Sequence, residues 1–249
     1  MIKSKKLLKF RDIKHAFFNN KGGVSKGIYK SLNCGRGSAD LKKNILKNLE
    51  IVAKKIKISK KNIILLNQVH SSNVHYISKK KKFQKRLKGD ALITDTDNLA
   101  LGILTADCVP ILIYDPYKKI ISAIHAGWKG AYKGIIQNVI KIFLRRGSVP
   151  KNLVAAIGPC ISKKNYEVQK DFMQKFIIKN SNNKKFFYFL GKKTYFSLNS
   201  YVYSELKKQG LKNIDLINKD TFNTKNNFFS ARRSIKNKDN DYGRNISII

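Results

Sequence analysis

An α+β fold, with mixed β-sheets packed together and flanked by helices in an αββα-like layered sandwich, is predicted for this 249-residue chain. Three observations point to it. The middle of the chain is a succession of short runs heavy in Ile, Val and Leu, punctuated by Gly, Asp and Pro. A strong helical periodicity follows those runs. Strands and helices then mix without the strict alternation of a βαβ fold.

Residues 63–69, 91–94, 99–105, 109–114 and 120–125 read as short, largely buried strands, because aliphatic and β-branched residues dominate and turn formers bound each run. Ala131, Tyr132, Ile135, Ile136, Val139, Ile140, Phe143 and Leu144 then recur at helical spacing. Arg145 and Arg146 suit the C-terminal dipole and Gly147 supplies the stop, so one amphipathic helix is expected here. Residues 154–157 read as a strand, 167–178 as a helix, and 197–209 as a helix closed by Gly210. Residues 213–217 and 245–249 complete the strands. The lysines at 79–82 and the Asn/Lys stretch 179–185 read as solvated loops. With no internal repeat and no Pro-, Ser- or Gly-rich linker, residues 1–249 are expected to form one domain.

Composition narrows the function classes. A hydrophobic share of 42% supports a sizeable core, and 27% charged residues is ordinary for a globular protein. The charge balance is lopsided, with 52 Lys+Arg against 15 Asp+Glu and a formal net charge of +37. Such an excess ordinarily points to a polyanionic partner. Here it is almost all Lys, spread from Lys3 to Lys238 in a chain equally rich in Asn and Ile, which is the mark of an A+T-biased genome. No zinc-finger, RNP-type or helix-turn-helix signature accompanies it, so no specific nucleic-acid partner is expected. Cys34, Cys108 and Cys160 are odd in number and widely spaced, which argues against a disulfide framework. The basic N-terminus lacks an apolar signal core, and no run approaches the roughly 18 apolar residues of a membrane span. A cytoplasmic location with reduced thiols is expected. Oligomeric state is not legible.

Four histidines are present, and two lie beside strand ends and turns. His70 closes IILLNQVH, and His125 closes IISAIH just before the Gly127 to Gly130 turn. Cys108 sits between two strand-like runs, after Ala106-Asp107. Two imidazoles and a thiolate make a three-ligand set for Zn²⁺ with a fourth position open, the pattern of a catalytic site. The spacings match no local metal motif, so by spacing alone a buried cysteine and two unrelated histidines is the plainer reading. Arg232, Arg233 and Arg244 place guanidinium forks near the C-terminus, where they would hold a phosphate or form solvated basic turns. Asp90 is a turn residue or a carboxylate orienting a metal-ligating histidine. Asp107 is expected to point away from Cys108 if that segment is extended. His75 should face away from His70, His15 reads as surface, Cys160 as buried and structural, and Trp128 as core.

Together these segments resemble the YfiH-like laccase-domain family, purine nucleoside phosphorylases once described as multicopper polyphenol oxidases. The matching pieces are GGVSKGIYKSLN from Gly22, NQVH ending at His70, GDALIT from Gly89, LTADCVPILIYD from Leu104, IHAGWKG from Ile124, GPCI from Gly158, YEV from Tyr166, FFSARRS from Phe228 and DYGR ending at Arg244. The resemblance implies that His70, Cys108 and His125 ligate a metal, Zn²⁺ foremost and Cu²⁺ as the alternative. It implies phosphorolysis of adenosine, inosine and S-methyl-5′-thioadenosine, with adenosine deamination as a companion activity. Arg232, Arg233 and Arg244 are then the candidate phosphate holders, and Asp90 and Asp107 would orient ligands or move protons. Three departures stand out: Ser71 for a glycine, Lys129 for an arginine, and Asn44-Ile45 for an Asn-Arg pair. The arginine missing at Ile45 matters most if it holds substrate.

Two rival enzymes use the same residues. Cys108 with His125 would serve as thiol nucleophile and base in a metal-free cysteine hydrolase or deamidase, whose toxin-deamidase fold the family's fold resembles. A copper polyphenol oxidase would need more histidines than four for a multinuclear cluster. A basic RNA- or division-associated scaffold is the non-enzymatic reading.

Overall fold

A computed structural model describes residues 1–78 and 87–249. The loop expectation for 79–82 lies outside the described residues. The strands are β1 (Ala16–Phe17), β2 (Ile63–Leu65), β3 (Val74–Ile77), β4 (Ala91–Thr94), β5 (Ala100–Thr105), β6 (Val109–Asp115) and β7 (Ile120–Ala126). They continue with β8 (Val154–Ile157), β9 (Glu167–Val168), β10 (Phe187–Leu190), β11 (Lys193–Phe196), β12 (Asn213–Leu216) and β13 (Asn245–Ile248). The helices are α1 (Lys42–Lys55), α2 (Trp128–Tyr132), α3 (Ile135–Arg145), α4 (Lys170–Lys179), α5 (Leu198–Lys208) and α6 (Ala231–Lys236).

Two mixed sheets form the centre. One has the order β12-β8-β6-β7-β4-β3, the other β1-β13-β5-β2, and β10-β11-β9 forms a small third sheet. The period-two alternation of β6 explains the layering. Val109, Ile111 and Ile113 turn to one face, where they join Ile135, Val139 and Phe143 of α3 and Val202 and Leu206 of α5. Leu112 and Tyr114 turn to the other face, against Leu101 and Ile103 of β5. The outer face of the smaller sheet, with Leu65, Ala100, Ile246 and Ile248, is covered by Ile45, Leu49 and Val52 of α1. The order is therefore helix, sheet, sheet, helix, the sandwich anticipated above. Each fully buried aliphatic side chain in these layers contributes roughly 1.5–3 kcal/mol.

Four segments differ from expectation. The single helix expected after residue 131 is two, α2 and α3, because Gly134 adopts φ 89° between them. That left-handed conformation suits glycine and interrupts the ladder. Residues 167–178 do not form one helix, since Glu167 and Val168 pair with Tyr195 and Thr194 before α4 begins. The run beginning at Ile63 is a strand only to Leu65, after which the chain turns toward His70. The stretch 179–185 ends α4 and enters a 3₁₀ turn whose Asn183 is buried, so it is not wholly a solvated loop. Helix α1, β1, β3, β10 and β11 had not been anticipated. No helix among the described residues is long and apolar enough to cross a membrane.

Candidate metal centre

His70, Cys108 and His125 reach one cleft from three different segments. His125 is carried on β7, while Cys108 occupies the turn between β5 and β6. His70 lies beyond β2 in a left-handed conformation, φ 57°. Gln68 clamps that loop to β5, donating from Nε2 to the Leu104 carbonyl and accepting from the Leu104 amide, both at 2.7 Å. The three possible donor atoms lie within 4.8 Å of one another, and Cys108 Sγ is 3.8 Å from His70 Nε2. Neighbouring donors of a tetrahedral centre with such ligands stand about 3.4 Å apart, so these three could hold a single ion once side-chain rotation draws them together.

Asp90 organises this arrangement from beneath. Its side chain is fully buried, and Oδ1 accepts from His125 Nδ1 at 2.8 Å. The same carboxylate accepts from the amides of Val69, His70 and Ser71 and from the Ser71 hydroxyl. One buried anion thus folds the His70 turn and sets the orientation of the His125 ring, leaving Nε2 free. Ser71, a departure from the family pattern, adds a donor to this knot.

Charge coupling is strong. Burial opposes an anion at Asp90, but hydrogen bonds from His125 and Ser71 bring its carboxyl down to about 2. Burial likewise works against a charged His125, yet the Cys108 thiolate and Asp90 lift it to about 9. The Cys108 thiol, also opposed by burial, is drawn down to about 6 by His125 and His70. The cleft therefore favours the thiolate that binds metals or attacks electrophiles. Gly127 permits the close approach, since a Cβ there would stand 2.8 Å from His70 Cδ2 and 3.1 Å from Cys108 Sγ.

The arginines are distributed differently from the expectation. The cleft, about 260 Å³, has Arg244, Tyr242 and Arg36 on its walls along with the three donors. Arg244 donates to Asp241 and to the Tyr242 carbonyl. Arg233 spends its guanidinium on the carbonyls of Thr221, Phe222 and Phe228, which makes it a tie within the C-terminal segment. Arg232 donates to the Glu167 carbonyl and lies over Tyr166, walling a neighbouring hollow with Trp128 and Phe172. Asp107 does point away from the donors, but from a left-handed turn, φ 84°, and not from an extended segment. It accepts from Thr221, Ser230 and the Arg232 amide.

His75 stands apart, its Nε2 2.9 Å from the Lys88 carbonyl. Cys160 is buried as expected, and Trp128 is half-buried against the core. His15 corrects the reading as surface: it is 3% exposed and accepts the Ser4 amide at Nε2. Its neighbours close over it once β1 joins the smaller sheet.

A family described as multi-copper polyphenol oxidoreductase laccase matches residues 14–249. The chain belongs to this laccase family. Among similar proteins, a purine nucleoside phosphorylase of Rickettsia conorii is 36% identical over 211 residues, covering 82% of this chain and 86% of the relative. One of that name from Haemophilus influenzae is 31% identical over 239 residues, covering 94% and 93%. Among solved structures, YfiH of Bacillus licheniformis superposes with a TM-score of 0.86 at 29% identity, covering 94% of this chain and 91% of that one. A Neisseria meningitidis protein gives 0.85 at 30% identity, covering 96% and 93%.

Within this laccase-family chain, the position of concern in α1 lies away from the cleft. Ile45 is 2% exposed in the core between α1 and the smaller sheet. The asparagine of α1 that organises its surroundings is Asn48, itself followed by the buried Leu49. Arg36 and Gln68 were missed in the sequence. Gln68 stood within the NQVH motif, whereas no periodicity or motif marks Arg36.

Proposed function

We propose that this chain is a metal-dependent purine nucleoside phosphorylase. It converts adenosine, inosine or S-methyl-5′-thioadenosine and phosphate to the free base and the ribose 1-phosphate or its methylthio analogue, and it also deaminates adenosine. The observation that carries the reading is the meeting of His70, Cys108 and His125 in one cleft, with Asp90 orienting His125 and Arg244 beside them. The names of the relatives support the substrate class. The cleft draws on residues from Arg36 to Arg244, which supports residues 1–249 acting as one domain. Three unpaired cysteines suit a reducing compartment, and the cytoplasm is the location we propose.

Zn²⁺ is the ion proposed, and when bound it supplies Lewis-acid charge to the anions and polarisable groups gathered in the cleft. His70, Cys108 and His125 would hold it, and Asp90 keeps the His125 proton on Nδ1. In phosphorolysis a phosphate oxygen bonds to C1′ as the C1′–N9 bond breaks. The electron pair leaves with the purine, which takes up the proton that phosphate sheds. Arg244 offers a forked donor to the incoming anion. In deamination water adds at C6 and ammonia leaves as the C6–N bond breaks, one of the water's protons passing to the departing amine and the other to N1 of the ring.

Among the described residues a single group of three candidate donors is found, so a multinuclear copper cluster has no ligands here. A Cys108–His125–Asp90 hydrolase reading leaves His70, aimed at the same point, without a task. Incubating zinc-replete protein with adenosine and phosphate, and following adenine, ribose 1-phosphate and inosine by chromatography, tests the proposal. Both activities should fall at least about a hundredfold in His70→Ala and Cys108→Ala, the scale of losing a ligand or its orientation. Absence of base release and deamination, or their persistence in both variants, would end it.

A further inference from the structure

Phosphorolysis consumes an anion whose oxygen pairs suit guanidinium forks. Arg233 is committed to three carbonyls, and Arg232 faces a different hollow. Among the described residues, Arg36 and Arg244 are the arginines that line the cleft of His70, Cys108 and His125, and no carboxylate lines it. Among the described residues no carboxylate lies within 4.0 Å of an Arg36 nitrogen.

The two arginines also belong to one rigid knot. Asn33 Oδ1 accepts both the Gly35 amide and the Arg244 amide, each at 2.9 Å. Asn33 Nδ2 donates to Ser38 and Asp40 on the far side of Arg36, and the Ser38 hydroxyl donates to the Gly35 carbonyl at 2.6 Å. The Cys34 amide donates to the Arg244 carbonyl. Gly35 lets the Arg244 stem cross the loop, since a Cβ there would fall 2.2 Å from Arg244 Cδ. The loop that presents Arg36 and the strand lead-in that presents Arg244 are thus held by the same asparagine. Asp241 fixes one edge of the Arg244 guanidinium through Nη1, and among the described residues its other nitrogens have no carboxylate within 4.0 Å.

We propose that Arg36 and Arg244 form a two-armed clamp for a tetrahedral oxyanion, and that its ligand is inorganic phosphate. The identity of the anion rests on the phosphorolytic reading. Two planar forks match the oxygen pairs of phosphate better than ammonium groups do, and prior anchoring of both loops lowers the ordering cost on binding. Arg36 is exposed, so its replacement leaves the core intact.

Calorimetric titration of the zinc-replete protein with inorganic phosphate, alongside the phosphate and adenosine dependence of base release, tests the clamp. Arg36→Ala should weaken phosphate binding and raise the phosphate KM about tenfold, leaving the adenosine KM unchanged. Arg36→Lys should recover part of the loss. Lys207→Ala, which removes an exposed cation on α5, should change neither and so separates the clamp from the general positive field. Absence of phosphate binding in the wild type, an Arg36→Ala variant indistinguishable from it, or an equal loss in Lys207→Ala overturns the inference. Phosphate binding that depends on Arg36 without any phosphorolysis would support the clamp and sink the phosphorolytic reading. Phosphorolysis with an unaltered phosphate KM in Arg36→Ala would do the reverse.

Discussion

His15 illustrates how tertiary contact changes a residue's chemistry. Its imidazole is buried and accepts the Ser4 amide, an arrangement available only to the neutral ring. Loss of hydration, with Lys3 adding repulsion, pulls its pKa from 6.5 to about 4. The unfolded chain therefore binds a proton that the folded chain refuses across the window from about 6.5 down to about 4. Stability from this residue is present above that window and falls as pH drops through it, by a total of about 3 kcal/mol. Urea unfolding midpoints measured between pH 7 and 4 should show the decline, and His15→Gln, which keeps an acceptor but does not titrate, should flatten it. The sequence offered no hint, because a histidine among lysines reads as surface. His70, Cys108 and His125 were legible for the opposite reason: each sits in its own distinctive motif.

At the scale of elements, α1 shows a signal that was present but unread. Ile45, Leu49, Val52 and Ala53 recur at the spacing of one helical face, and all are buried. Between them stands Asn48, fully buried, which accepts the Val24 amide and donates to Ser25, Ser31 and Asn33. It ties the helix to the loop that leads on to Arg36. Asn48→Ala should cost about 2–4 kcal/mol, because it strands a buried amide and several acceptors together. Equilibrium denaturation would measure this directly, and a loss under 1 kcal/mol would contradict the account. The strands β4 to β8 were legible almost to the residue because both of their faces are buried and their runs are continuously apolar. The short strands β9, β10 and β11 were not. Strands β10 and β11 form a local hairpin and β9 joins them from farther back, but charged or exposed positions break the pattern of all three.

Across the whole molecule, the net charge of +37 comes almost entirely from lysines spread from Lys3 to Lys238, which we read as compositional and not as a nucleic-acid surface. Its lysines occur on every layer of the fold, and the arginines with defined neighbours serve internal ties and the cleft. Binding to duplex DNA or to RNA should therefore be weak, indifferent to sequence and lost by moderate salt. Fluorescence anisotropy with unrelated oligonucleotides between 50 and 200 mM salt, roughly the range over which counterion release acts, would check this. A sequence-selective complex surviving the higher salt would overturn it.

The sandwich itself follows from hydrophobic periodicity, which is local and therefore readable: a strand apolar on both faces must be covered twice, and α3 announces which face it buries. So do the metal-type donors, since their identity is written in residue type and motif. What surrounds them was decided only in three dimensions. Asp90 joins His70 to His125, Asn33 joins Arg36 to Arg244, and Arg233 turns from the cleft to three carbonyls. Those choices depend on contacts between segments as much as 211 residues apart. Sequence reports which side chains are available, whereas packing and hydrogen-bond satisfaction determine which of them are free to act.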